Sequence, residues 1–566
     1  MPCVTYDVAG DAPVTDPETD PGEKPRRNPT ATDPLTGPTT EADAGHTDRL
    51  YSRLVRPMPR GGWVGWAGPL AVGVVAAIIR LVHLSRPDRL IFDETYYAKD
   101  ALSLLRFGHA RAFVDDADEM ILEGNLDAFT GEPSFVVHPS IGKWLIALGI
   151  RVFGMDSFGW RIVPALCGVV LVVLLARAGR RLFRSNIAGT AAGLFVAVDG
   201  MSIVLSRTAL LDGILAMFVV AAFAALLVDR DRTRRRYADW ALERLAAEES
   251  VGAGPALWWR PWRLTAGVLL GLACATKWNG LYALAVFGLL TVFWEVGARR
   301  AIGVGGGSRL SIPSSLRASL RLDAPIAFVT MVGTAVAVYI VSWWGWFTAE
   351  DSWSRQWGVE NPASGLGALV PDALRSLWHY HGEMYEFHST LTSEHDYESS
   401  AWGWLLMRRP VSFDYTGSDQ GEGGCTVERC SQEVLALGTP VLWWGGCVAL
   451  VVCIGLWLIR RDWRAGAILA GICATWVPWL AFPERTTFAF YAVVIAPFIA
   501  LAVVHVLHTL IGGRHVSRAR HVVGWSIAVV FGAAVLWMAW YFYPIWVDHL
   551  MPYSEWQDRM WWDNWI

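Results

Sequence analysis

The sequence has no CxxC pair, no basic tract that resembles a nucleic-acid footprint, no internal repeat and no apolar stretch behind its first methionine. Each absence removes a class. Without paired cysteines at ligand spacing, the common structural zinc sites are excluded. Without a clustered Lys/Arg footprint, nucleic acid is not expected as a partner. Without an early apolar core, no cleavable signal peptide is predicted, and the first apolar run itself serves as the anchor. Residues 1–45 have almost no large apolar groups and are rich in Pro, Thr, Asp and Gly, so they are expected to form a disordered tail. Of the 8 cysteines, most lie in apolar runs, where they read as small core residues. Cys425 and Cys430 sit in a polar loop, and a disulfide between them is open if that loop faces an oxidising compartment.

What is present is apolar length. Of the 566 residues, 53% are hydrophobic, and 32 are Trp, many near the edges of apolar runs. Mean hydropathy is +0.32. Runs long enough to cross a bilayer, about 18–24 residues, recur from Trp63 onward. The expected fold class is therefore an all-α polytopic membrane protein with about eleven transmembrane helices. The spans are placed near 63–84, 159–178, 186–205, 208–228, 264–276, 279–297, 324–346, 439–460, 464–482, 487–510 and 522–543. Arginines set the orientation: those at 49–60, 177–184, 230–236, 299–300, 460–464 and 514–520 all fall on one side, the cytoplasm. The N-terminus is then inside and two large segments, 85–158 and 347–438, are outside. The expected organisation is a tail at 1–45, a membrane module at 46–346, an extracytoplasmic loop at 347–438 and a second membrane module at 439–566. Within the first outer segment, Tyr96–Phe107 carries apolar groups at helical spacing and is expected to lie along the membrane surface.

In this topology ionisable residues converge on one membrane edge, where they are costly and so are functional candidates. Asp93 and Glu94 follow the first span; His138, Lys143 and Arg161 precede or open the second; Asp199, Arg207 and Asp212 surround the turn between the third and fourth. Lys277 and Asn279 occupy the next outer turn, and Glu484 and Arg485 a later one. Transporters more often place charge near the midplane on broken helices. A surface ring holding an acid pair and several cations suits an anionic, lipid-linked substrate: cations hold phosphate and a carboxylate acts as base. Four histidines, His379, His381, His388 and His395, lie in the second loop at a spacing that matches no metal motif.

The motifs then resemble one family. Ile91-Phe92-Asp93-Glu94 looks like an acidic pair just after a first span. His138-Pro139-Ser140-Ile141-Gly142-Lys143 is similar to a His-Pro-Pro-Leu-Gly-Lys segment, with Ser140 replacing the second Pro. Gly159-Trp160-Arg161, Ser206-Arg207 through Leu211-Asp212, and Lys277-Trp278-Asn279-Gly280 follow in order, then Tyr380-His381 through Phe387-His388 and His395–Trp404. Together they resemble the protein O-mannosyltransferases, actinobacterial type, over residues 63–566.

The resemblance implies a GT-C glycosyltransferase fold. It implies transfer of mannose from polyprenyl-phosphate-mannose to Ser/Thr hydroxyls of exported proteins at the outer face of the plasma membrane, with inversion and without cofactor or metal. It implies Asp93 as base, Glu94 as its support or acceptor-orienting group, and Arg161 as partner of the acidic pair or of the donor phosphate. Lys277, Arg207 and Lys143 are assigned to the phosphate by chemistry; His138, Asp212, Asn279, His381 and His388 are the remaining substrate-binding candidates. The soluble module that eukaryotic members insert in the second loop is absent, so acceptor selection falls to the short loop, the groove or a partner such as the export channel. The competing expectations are a related transferase acting on a cell-wall glycan or lipid, and a transporter or scaffold.

Overall fold

In the computed structural model, residues 51–59, 61–305, 311–513 and 515–566 are described, and the predicted tail at 1–45 lies outside them. Residues Arg49–Ile566 form one compact unit. Its main helices in chain order are α1 (Val64–Leu81), α2 (Glu94–Phe107), α3 (Ile141–Phe153), α4 (Ser157–Phe183), α5 (Asn186–Ala197), α6 (Gly200–Arg207), α7 (Leu211–Ala246) and α8 (Pro261–Cys274). There follow α9 (Gly280–Gly305), α10 (Ala324–Ser342, containing a π-turn), α11 (Asp372–Thr390), α12 (Pro440–Arg460), α13 (Trp463–Thr475), α14 (Ala496–Ile511) and α15 (Arg518–Phe542).

Among the described residues, 7 helices are long and apolar enough to cross a membrane, or 8 if the bent pair α5–α6 is one span. The protein is thus a multi-pass helical membrane protein. Each of the predicted segments does hold an apolar helix, but α8, α13 and α14 are shorter than a full crossing. Proline explains two of these. Pro478 diverts the chain after α13 into a 3-10 turn, and Pro497 opens α14 directly after another. The centre of the bundle is α7, with 78% of its apolar window buried, against 17% for α15. At 36 residues, α7 is about 54 Å long and outruns a hydrocarbon core of about 30 Å.

Two small sheets were not expected from an all-α reading. β1 (Arg111–Phe113) pairs antiparallel with β2 (Phe129–Pro133). β3 (Val411–Asp419) pairs antiparallel with β4 (Arg429–Ala436), from Val411↔Ala436 to Asp419↔Arg429, and β5 (Met551–Pro552) adds to β4. The first half of β3 alternates buried and part-buried residues, the period of a strand with one covered face. Cys425 and Cys430 close the turn of this hairpin with a disulfide.

The break between α5 and α6, bent by 60°, is where charge enters the bundle. A broken span frees backbone groups that must be satisfied inside the protein. Arg80, fully buried at the end of α1, donates to the carbonyls of Ala197 and Val196 at 2.9 and 3.2 Å and to Ser202 and Ser206. Asp199 caps α6 through Ser202 N–H at 3.1 Å, and accepts from Thr439 N–H at 3.0 Å and Trp443 Nε1 at 2.8 Å, which ties the break to α12.

Candidate active site

The chain leaves α1, turns at Phe92 and starts α2. Phe92 has φ +49°, the left-handed region that a bulky residue adopts only under constraint. The constraint is aromatic: its ring stacks on Phe413 of β3 at 4.5 Å and meets Phe490 edge-on at 5.4 Å. This turn sends the two acids that follow to different neighbours.

Glu94 goes inward and is fully buried. Its Oε1 accepts from Arg161 Nε at 2.8 Å and Ala209 N–H at 2.8 Å; its Oε2 accepts from Arg161 Nη2 at 2.7 Å and Ile91 N–H at 3.2 Å. Arg161 also donates to the carbonyls of Pro87 at 2.7 Å, Arg89 at 2.8 Å and Leu84 at 3.4 Å. Neither side chain has capacity left for a ligand. The pair staples α4 to the loop that carries Asp93, so the expectations of a phosphate contact for Arg161 and an acceptor contact for Glu94 do not fit this geometry.

Arg207 is corrected on the same ground. It donates to the carbonyls of Ile79, Arg80, Val82 and His83 at 3.3, 3.0, 2.8 and 2.7 Å. The first two are acceptors left over in the last turn of α1 and the other two lie just past its end, and Arg207 caps them all. Lys143 is likewise engaged: it is 3% exposed and pairs with Asp100 at 2.8 Å, behind His138.

Asp93 faces the other way. It is only partly buried, and the nearby Tyr97 hydroxyl favours its charged form. Tyr97 stands four residues on, one helical turn along the same face. Burial pushes the Asp93 carboxyl up to about 6, Lys277 draws it down and Asp212 adds to the rise. Lys277 pairs with both oxygens of Asp212 at 3.0 Å and lies 4.3 Å from the centre of the Tyr491 ring. Burial alone would lower the lysine, but Asp212, Tyr491 and Asp93 together hold it above its ordinary value and keep it charged.

Lys277 opens onto a cavity of about 610 Å³ that is also lined by His138, Asn279, His388, Arg485 and Tyr491. That volume suits a small ligand or a head group. His138 and His388 stack at 5.2 Å. His388 Nε2 meets the Val137 carbonyl at 2.9 Å, so that nitrogen carries the proton. Burial lowers His388 to about 4, and burial with Lys277 and His388 nearby holds His138 well below the usual range. Both rings are neutral at physiological pH, so the positive charge of the cavity comes from Lys277 and Arg485, with the Glu484 side chain also on its wall. Arg485 donates Nε to the His388 carbonyl at 2.9 Å, reaches the Thr486 carbonyl and His388 Nδ1 only at 3.4 and 3.5 Å and faces the Trp479 ring, which leaves part of its fork available.

The four loop histidines do not converge. His381 bonds Tyr339 at 2.7 Å and stacks behind Trp278, His379 stacks on Trp357, and His395 packs on Phe488. Of the expected residues, the structure gathers Asp93, Asp212, Lys277, Asn279, His138 and His388. It adds Tyr97, Tyr491 and Arg485. Arg485 was visible as a membrane-edge charge; Tyr97 was visible as the residue one turn beyond Asp93.

Comparison with known proteins places this arrangement. The S. cerevisiae protein O-mannosyltransferase Pmt1–Pmt2 complex bound to the sugar donor superposes with a TM-score of 0.64 at 15% identity, covering 91% of this chain and 94% of that one. The fold is therefore that of the GT-C membrane glycosyltransferases. Residues 70–300 match the family described as dolichyl-phosphate-mannose-protein mannosyltransferase, and residues 373–565 match the C-terminal four-span region of protein-O-mannosyltransferase. The polyprenol-phosphate-mannose–protein mannosyltransferase of Mycolicibacterium smegmatis is 37% identical over 511 residues, 88% of this chain and 93% of that protein. That of Mycobacterium tuberculosis is 35% identical over 533 residues, 93% of this chain and 94% of that protein. The chain belongs to the protein O-mannosyltransferase family.

Proposed function

We propose that this protein transfers mannose from polyprenyl-phosphate-mannose to Ser or Thr hydroxyls of proteins leaving the cell, the activity its mycobacterial relatives are named for. The observation that carries the site assignment is the contrast at 93–94: Glu94 is fully bonded, while Asp93 is part-buried and feels the charge of Lys277, which lines the cavity. Asp93 accepts the proton of the acceptor hydroxyl. The hydroxyl oxygen attacks the anomeric carbon from the face opposite the phosphate, and the carbon–oxygen bond to phosphate breaks with its electron pair. Lys277 and Arg485 stabilise the charge that develops on the leaving phosphate, so no general acid is needed. One in-line displacement inverts the anomeric centre. Tyr97 holds the Asp93 carboxylate, Asp212 holds Lys277, and neutral His138, His388 and Asn279 offer hydrogen bonds to the sugar phosphate.

The proposed topology has eleven crossings, with α8, α13 and α14 completed by their flanking turns, a cytoplasmic N-terminus and the cavity outside the plasma membrane. Clustered arginines on the opposite side and a disulfide in the 347–438 segment support it. Residues 46–346 then hold Asp93 and Lys277, 347–438 form the outer loop over the cavity, and 439–566 contribute Arg485. With so small a loop, acceptors are presented while still extended, by the export channel.

The test is transfer in proteoliposomes from radiolabelled polyprenyl-phosphate-mannose to a Ser/Thr/Pro-rich peptide. Labelled peptide is expected. Label found instead on glycan or lipid acceptors, with the peptide unlabelled, contradicts the assignment.

A further inference from the structure

A second large cavity lies at the other end of the bundle. Arg161 and Arg181 are 20 residues apart on α4, so about 30 Å separates the Asp93 end from this one, the thickness of a hydrocarbon core. The cavity, about 760 Å³, is a groove between α1, α4, α7 and α8. Its walls include Leu174, Met217, Ala221, Val228 and Leu269, and its mouth carries Arg56, Arg177, Arg181, Arg184, Arg232 and Arg235 against the single carboxylate of Asp231.

The six arginines are not equivalent. Arg181 and Arg184 bond Asp231 at 2.6 and 2.9 Å, and Arg177 donates to the Gly65 carbonyl at 2.6 Å while covering Trp66. Arg232 is exposed and meets only the face of Trp262, at 5.2 Å. Arg56 and Arg235 are exposed and make no hydrogen bond or ion pair among the described residues. Three guanidinium groups therefore stand over an apolar slot with one local carboxylate, which already serves two other arginines.

The slot has a definite depth. Met217 and Val228 both line it, 11 residues apart on α7, so it runs about 16 Å inward from the arginines. One leaflet of hydrocarbon is about 15 Å thick. Small side chains, Ala221, Ala224 and Ala225, keep it open along its length. Basic pockets between membrane helices recognise anionic head groups. We propose that this groove binds one anionic phospholipid of the surrounding bilayer, with its phosphate on Arg56, Arg232 and Arg235 and an acyl chain in the slot. The lipid would lock α1 against α7 and α8 far from the transfer site, and the inference does not depend on which sugar or acceptor is used.

The test uses the full-length protein in detergent, with native mass spectrometry after addition of phosphatidylglycerol or phosphatidylcholine carrying the same acyl chains. The wild type is expected to retain phosphatidylglycerol about tenfold over phosphatidylcholine. The triple variant R56Q/R232Q/R235Q is expected to lose that preference. Ala224→Phe fills the slot and leaves every arginine in place, so it keeps the test open should the triple variant not fold; it is expected to reduce bound phosphatidylglycerol about tenfold. No preference in the wild type, or a preference untouched by both the triple variant and Ala224→Phe, would overturn the proposal.

Discussion

Two sets of charges sit at the same end of the helices of this protein, and they differ in what their hydrogen bonds are doing. In the set around Glu94, Arg161, Arg207 and Asp199, every side chain is buried, and donors and acceptors are matched to one another or to carbonyls and N–H groups released where helices end. In the second set, Lys277 and Arg485 line a cavity, and Asp93 is part-buried next to the charge of Lys277. Position in a ring of charge is thus not enough to infer chemistry. The first set fixes the frame, and the second can change partners during a reaction.

Substitutions can break this contrast. The largest effect is expected at Asp93→Asn: mannose transfer falls about a thousandfold, the range a positioned general base contributes, with the protein still inserted and folded. Arg161→Ala acts differently. It strands a buried Glu94 and the carbonyls of Pro87 and Arg89, and is expected to cost about 3–5 kcal/mol of stability. Thermal melting in detergent checks this; a normally stable variant with only a weakened donor affinity would return Arg161 to the phosphate.

Lys277→Gln and Arg485→Gln are expected to raise the donor KM about ten- to a hundredfold, the loss of one charge-assisted hydrogen bond. Arg207→Gln, also a cation of the ring, is expected to lower the melting temperature and leave the donor KM unchanged. Equal KM effects at Arg207 and Lys277 would erase the distinction between the two sets.

A smaller effect sharpens the base assignment. The Asp93 carboxyl is raised to about 6, and only its ionised form accepts a proton, so transfer should fall as pH drops through about 6. Lys277 draws that value down, so Lys277→Gln should shift the acid limb of the pH–rate profile upward. An unmoved limb would assign it to another group.

Much of the helical fold was legible because apolar span length is a local signal. The acid pair, the His-Pro segment and the lysine turn were legible as motifs. What stayed hidden depended on partners far away in sequence. Glu94 meets Arg161 across 67 residues, and Arg207 meets the end of α1 across more than 120. No periodicity reports that an arginine has all its donors engaged. The β3–β4 hairpin was hidden for another reason: its alternation begins in Val411-Ser412-Phe413-Asp414 inside a polar loop, where apolar length gives no signal.

The most direct measurement is donor affinity and melting temperature of Asp93→Asn beside the wild type above pH 6. A carboxyl whose folded pKa is raised is favoured by the fold in its protonated form; its ionised form costs stability above that pH and the cost is gone below its ordinary value. The neutral amide should therefore bind polyprenyl-phosphate-mannose within about threefold of wild type and melt no lower, with turnover down about a thousandfold. A variant that transfers mannose at near the wild-type rate, or that loses the donor and melts early, would show that Asp93 belongs to the frame and not to the chemistry.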